Sequence, residues 1–269
     1  MLRKRPSGSN NSAGVSVGVT DIRAEPDFHS ERLSQALWGT KVKITGDETG
    51  CFVPINLKDG HSGFIRISHL RIPFRASRRD IRITAGMIQV RKSPSPKSET
   101  ILLVHFNTEF SLLNQKKQWV EVSLGKEQSG WIPVGSFDSI ESLRLKSPII
   151  NNIVKTAKSF IGTPYLWGGI APSGWDCSGF VQAIFKQFGI TLPRDTKDQI
   201  EKGRSVKYGG HRAGDLLFFK RHVGIAISRE LLIHSSAHHG GVFVDNLGDN
   251  ADGFGRELLK NLQAIKRII

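Results

Sequence analysis

The chain reads as an α+β protein, with two small β-barrels in the first half followed by a single α+β domain in the second. Three observations predict this. Two stretches of the first half repeat each other, Arg23 falling against Arg91. Within each copy apolar residues alternate with a period of two, the pattern of half-buried strands. From Ile149 onward the apolar spacing becomes helical and later returns to alternation.

The repeat is read first. Arg23, Pro26, Ser30, Glu31, Leu33, Val42 and Ile44 match Arg91, Pro94, Ser98, Glu99, Ile101, Phe110 and Leu112. After a one-residue slip, Phe52-Val53-Pro54-Ile55 matches Trp119-Val120-Glu121-Val122, and Gly63-Phe64-Ile65 matches Gly130-Trp131-Ile132. Hairpin turns tolerate insertions and strands do not, so the slip is placed in the turn between Ile44 and Phe52. Short strands separated by turn signals predict one barrel over residues 14–76 and a second over 80–143. One larger β-sandwich is the alternative. Residues 1–13, rich in Ser, Asn and Gly, are read as a flexible tail.

Composition limits the function classes. The 269 residues are 38% hydrophobic and 8% aromatic, enough for ordinary cores. The net charge is +14, with clusters at Arg3 to Arg5, Arg75 to Arg79 and Lys116-Lys117. No basic run is interleaved with aromatics, and no finger or helix-turn-helix accompanies the charge, so no nucleic-acid partner is expected. A basic surface with some attraction for polyanions accounts for it. No apolar run approaches the roughly 18 residues of a membrane span. The basic N-terminus lacks the apolar core of a secretory signal, so a cytoplasmic site is expected, with export by another route left open. Two cysteines, Cys51 and Cys177, exclude a disulfide framework and a four-cysteine zinc site. Cys51 is read as a small core residue. The oligomeric state is not legible.

In the second half, Ile150, Ile153, Val154, Ala157 and Phe160 predict a helix stopped by Gly162-Thr163-Pro164. A loop with Tyr165-Leu166-Trp167-Gly168-Gly169 leads to Asp176-Cys177-Ser178-Gly179. Phe180, Val181, Ile184, Phe185 and Phe188 then form one stripe of a buried helix. Cys177 falls in its first turn, where unpaired amides and the helix dipole favour a thiolate. A small buried cysteine is the plain reading of that residue taken alone.

Two histidines change the balance. His222 to Ile227 alternate as a strand, Ser228 to Glu230 form a turn, and Leu231 to Ser235 resume the sheet. A three-residue turn sets Gly224 opposite His234, so His222 and His234 share a face, and a two-residue turn separates them. On the shared face, His234 receives the Nδ1 proton of His222 and holds its ring toward Cys177. His238 and His239 are read as solvated. Zinc held by these histidines is the rival, disfavoured because no carboxylate or cysteine ligand is evident nearby.

The ordered set Gly-Thr-Pro-Tyr-Leu-Trp-Gly-Gly, Asp-Cys-Ser-Gly-Phe-Val, Leu-Pro-Arg, Gly-Asp-Leu-Leu-Phe-Phe, His-Val-Gly-Ile and Ile-His-Ser resembles the NlpC-type cysteine peptidases over residues 148–269. The repeats resemble bacterial SH3-like domains, the first with Phe52 and Phe64 where the second has Trp119 and Trp131. The resemblance implies a papain-like α+β domain with Cys177 as nucleophile, His222 as base and His234 as the orienting residue. It implies that Tyr165 and the Cys177 amide bind the oxyanion, and that Trp167 forms a cleft wall. Asp176 and Ser178 would hold a substrate amine, and Thr196 stands where relatives often have serine. His61 stands where a tyrosine borders the amine pocket. Arg194, Gly214 and Asp215 read as structural, with a paired surface charge. The implied substrate is the γ-D-glutamyl-diamino acid bond of peptidoglycan stem peptides with a free N-terminal L-Ala, cleaved with no metal or organic cofactor. An amidase or acyltransferase on the same fold, and a wall-binding module with an idle triad, are the alternatives.

Overall fold

The computed structural model describes residues 11–72, 78–145 and 149–269. The basic cluster at Arg3, Lys4 and Arg5, most of the expected tail, and Arg75 lie outside the described residues. The chain divides into two compact units, Met1–Ser142 and Leu143–Ile269.

In the first unit, a seven-stranded antiparallel sheet runs in the order Arg32–Leu37, Val19–Arg23, Ser62–Arg66, Phe52–Asn56, Lys41–Ile44, Ser12–Val15, Leu70–Arg71. It closes over Ala13, Val15, Ile22, Val42, Ile44, Val53, Ile55 and Ile65. The second set of strands, from Ile81 to Ser139, forms a five-stranded and a three-stranded sheet around Ile83, Val90, Val104, Phe110, Val120, Val122 and Ile132. There are two separate cores, not the one core of a sandwich. Ser12 and Ala13 are paired in a strand although the sequence placed them in the tail. Buried Ala13 and Val15 give that strand an apolar reason to dock.

The repeat holds at the level of hydrogen bonds. Arg23 sits opposite Phe64, and Arg91 sits opposite Trp131. Val53 pairs with Ile65, and Val120 with Ile132. The Arg23 guanidinium donates to the Ser30 carbonyl at 2.7 Å, and that of Arg91 to the Ser98 carbonyl at 2.6 Å. In the same turns the Ser30 and Ser98 hydroxyls accept the Glu25 and Ser93 amides at 3.2 and 2.9 Å, which explains why arginine and serine recur together. Cys51 lies exposed in the turn that absorbs the slip, so it is no core residue. Trp38 leaves the end of its strand and joins the core of the other barrel. Its ring lies 4.6 Å from that of Phe110, under the guanidinium groups of Arg71 and Arg79.

In the second unit, a six-stranded antiparallel sheet has the order Arg204–Ser205, Leu262–Arg267, Leu216–Phe219, His222–Ala226, Leu231–Ser236, Gly241–Asn246. Helix Cys177–Gln187 packs on the strands that carry His222 and His234. Its Phe180, Val181, Ile184 and Phe185 are fully buried, each contributing about 1.5–3 kcal/mol. Helix Ile149–Lys158 packs against it in turn. The turn Ser228 to Glu230 has the three-residue length, closed by the Ile227 amide on the Leu231 carbonyl at 2.8 Å. Ile225 then pairs with Ile233, which sets Gly224 opposite His234. Asp215 pairs with the half-buried Arg267 at 2.7 Å and is itself buried rather than on the surface as the sequence suggested. Among the described residues, no helix is long and apolar enough to cross a membrane.

Candidate active site

The local sequence explains how Cys177 is placed. Asp176 is extended (φ −92°, ψ 176°), and its carboxylate accepts from the Gly179 amide at 2.6 Å, capping the helix so that Cys177 becomes its first residue. A side chain at Gly179 would put its Cβ 2.2 Å from the Gly169 carbonyl oxygen. Only glycine there lets the Tyr165-to-Gly169 loop lie against the start of the helix.

The Cys177 sulfur is buried and accepts the backbone N–H groups of Val223 and Ser178; the Thr196 hydroxyl lies 3.9 Å away. Burial pushes the Cys177 thiol up, and the nearby Asp176 carboxylate adds to the effect; the hydroxyl and amides oppose it without reversing it.

On the sheet, His222 follows the bend at Arg221 and starts the strand next to the Cys177 helix. Its Nε2 lies 2.6 Å from Nδ1 of His234, and His234 Nε2 lies 2.7 Å from a carboxylate oxygen of Asp245. The sequence reading expected Nδ1 of His222 to make this contact; the ring presents the opposite nitrogen. Part of His222 reaches the surface, but most of the ring is enclosed. Burial, then the neighbouring His234 ring, push its pKa down to about 3, against the pull of Asp245. The imidazole of His222 is neutral at rest.

Asp245 is the site residue that sequence reasoning missed. It lies on strand Gly241–Asn246, two residues past Phe243, the residue paired with His234, so it shares a face with His234 as a diagonal neighbour. His239 approaches both oxygens of Asp245 at 3.0 and 3.1 Å and stacks on Phe243, so it is not the solvated loop residue expected. His238 is exposed and stacks on Phe254. Ligand atoms of His234, His239 and Asp245 lie within 4.8 Å of one another, a grouping able to hold a metal ion. The absence of a nearby carboxylate, used against zinc, does not stand. Each of these ligand atoms is already committed to a hydrogen bond within the set.

Asp176 is more constrained than an open amine receptor. Arg194 grips both of its carboxylate oxygens and donates to the Ser178 hydroxyl at 2.9 Å, with all three side chains buried. The Arg194 charge is thus interior, not on the surface. The Tyr165 phenol is pushed up to about 12 by burial, then by Cys177 and Asp176, so it stays an O–H donor at neutral pH. Trp167 is 62% exposed in the loop before the helix. His61, in the first unit, is half-buried, its amide held by Asp59 at 3.1 Å.

Comparisons with known proteins agree with this geometry. Residues 162–252 match the NlpC/P60 family, and residues 22–70 match the bacterial dipeptidyl-peptidase Sh3 domain. A γ-D-glutamyl-L-lysine dipeptidyl-peptidase of Bacillus subtilis is 28% identical over 75% of this chain and 71% of its own length. Dipeptidyl-peptidase 6 of Lysinibacillus sphaericus is 25% identical over 94% and 98%. The crystal structure of an NlpC/P60 family protein from Bacillus cereus covers 96% of this chain and 99% of its own at a TM-score of 0.84 and 24% identity, which shows the fold. The chain carries an NlpC/P60 cysteine-peptidase domain of papain-like fold, with a bacterial SH3 domain ahead of it in the sequence.

Proposed function

We propose that this chain hydrolyses the amide between the γ-carboxyl of D-glutamate and a diamino acid in peptidoglycan stem peptides. The observation that carries the reading is Cys177 at the first turn of a buried helix, its sulfur on the Val223 amide, one residue along the strand from His222 and the chain of partners behind it. The names of the relatives support the bond and leave the diamino acid open.

In this reading the Cys177 sulfur attacks the amide carbon as its proton passes to His222. The oxyanion forms beside the Tyr165 phenol and the Cys177 amide. The phenol keeps its proton because burial holds its pKa high. His222 gives its proton to the departing amine, then activates the water that releases the L-Ala-D-Glu portion from the thioester.

Selection for a free N-terminal L-Ala is the finer part of the proposal, resting on Asp176, Ser178 and Thr196, with Trp167 as the cleft wall. Asp176 already neutralises Arg194, so an incoming ammonium would share that carboxylate rather than own it.

The test is mass spectrometry of L-Ala-γ-D-Glu tripeptides ending in diaminopimelate or lysine, incubated with wild type and Cys177→Ala. Release of the diamino acid by wild type alone supports the reading. Equal cleavage of an N-acetylated tripeptide removes the end-group part only. No cleavage of these peptides or of whole peptidoglycan removes the reading and leaves wall binding.

A further inference from the structure

We infer that Asp245 is a positioning residue that sets, from two rings away, which nitrogen of His222 is free to act as base. A carboxylate can only accept hydrogen bonds. The nearest donor to Asp245 is His234 Nε2 at 2.7 Å, so the His234 proton sits on Nε2 and its Nδ1 carries the lone pair. The contact of 2.6 Å between His234 Nδ1 and His222 Nε2 then requires the proton on His222 Nε2. A neutral imidazole has one N–H, which leaves the lone pair of His222 on Nδ1, the nitrogen able to take the thiol proton.

The arrangement is built to stay in this state. His234 is fully buried and Asp245 is 3% exposed, so water has little access to substitute for either partner. His239 Nε2 donates to the same carboxylate, and its ring is stacked on Phe243 with centroids 4.1 Å apart. That second donor fixes the carboxylate plane and leaves the tight contact to His234. Asp245 never touches substrate. Its effect passes through His234 alone.

The catalytic consequence rests on the peptidase reading, but the proton arrangement does not, and the experiment separates them. Long-range proton–nitrogen correlation spectra of the wild-type protein should show His222 protonated on Nε2 and bare on Nδ1. A proton on Nδ1 instead overturns the proposal outright, without any variant. In Asp245→Asn the side-chain amide can donate to His234 Nε2, which reverses both rings and places a proton on His222 Nδ1. The wrong tautomer should lower kcat by about 10³- to 10⁴-fold. It should also slow iodoacetamide capture of Cys177, a reaction that needs no peptide, at least tenfold. Asp245→Glu, still an acceptor, should restore the wild-type nitrogen pattern and most of the capture rate. A folded Asp245→Asn with unchanged nitrogen shifts and capture rate overturns the proposal. If no peptide is ever cleaved but the nitrogen pattern holds and reverses as stated, only the peptidase reading falls.

Discussion

Arg194 binds Asp176 through two guanidinium nitrogens at the first turn of the helix that carries Cys177, one of them 3.0 Å from Oδ1. The same oxygen also accepts from Gly179 and Ser178, so one carboxylate caps the helix, neutralises a buried cation and borders the nucleophile. Removing the cation leaves a buried charge uncompensated. Arg194→Met should destabilise the second unit by about 3–5 kcal/mol. Calorimetry should show its transition moving down, and a second change, Asp176→Leu, should return part of the loss.

Burial governs the thiol, and its reactivity should report it. With the Cys177 pKa raised, iodoacetamide at neutral pH should label exposed Cys51 first. Labelling of Cys177 should climb as pH rises past the usual thiol range. Peptide mapping by mass spectrometry distinguishes the two sites, and faster capture of Cys177 at neutral pH contradicts the buried-thiol picture.

His222 makes the fold sensitive to acid. Its folded pKa of about 3 lies below the 6.5 of an unfolded histidine, so the unfolded chain binds a proton that the folded chain refuses. The stabilisation is present above 6.5 and is lost as pH falls toward 3, on the order of 3 kcal/mol once the exposed part of the ring is allowed for. Urea midpoints at pH 7, 5 and 4 should fall for wild type and fall less for His222→Gln. Parallel curves would remove His222 as the source.

Gly224 faces His234 across the strand pair. A Cβ there would stand 2.8 Å from Leu232 Cδ1 and 3.0 Å from His234 Cβ. Gly224→Ala should cost about 1–3 kcal/mol and displace the His234 ring, lowering turnover roughly tenfold while substrate binding changes little. Separate determination of kcat and KM checks it, and a change confined to KM argues against the packing argument.

What could be read from the sequence follows the range of the forces involved. The shared face of His222 and His234 was legible because strand period and turn length settle it locally, between residues 222 and 234. The paired turns of Arg23–Ser30 and Arg91–Ser98 were legible because the repeat writes them twice. Asp245 was not, since its role depends on the register of a third strand, and a polar residue in a strand gives no sign of burial. The Asp176–Arg194 pair joins a helix cap to a loop 18 residues later, with no periodicity to connect them. The burial that raises the Cys177 thiol was not legible either, because desolvation depends on everything packed above it.

Trp38 gives the internal repeat a history. A tandem duplication begins with two equivalent beads, each in principle removable or replaceable. Here an indole from the first copy fills the interior of the second, so the descendants are no longer equivalent. Deleting the first copy would leave its neighbour with a hole, and exchanging their order would put a tryptophan where nothing receives it. The two modules have become one heritable piece, to be kept or lost together.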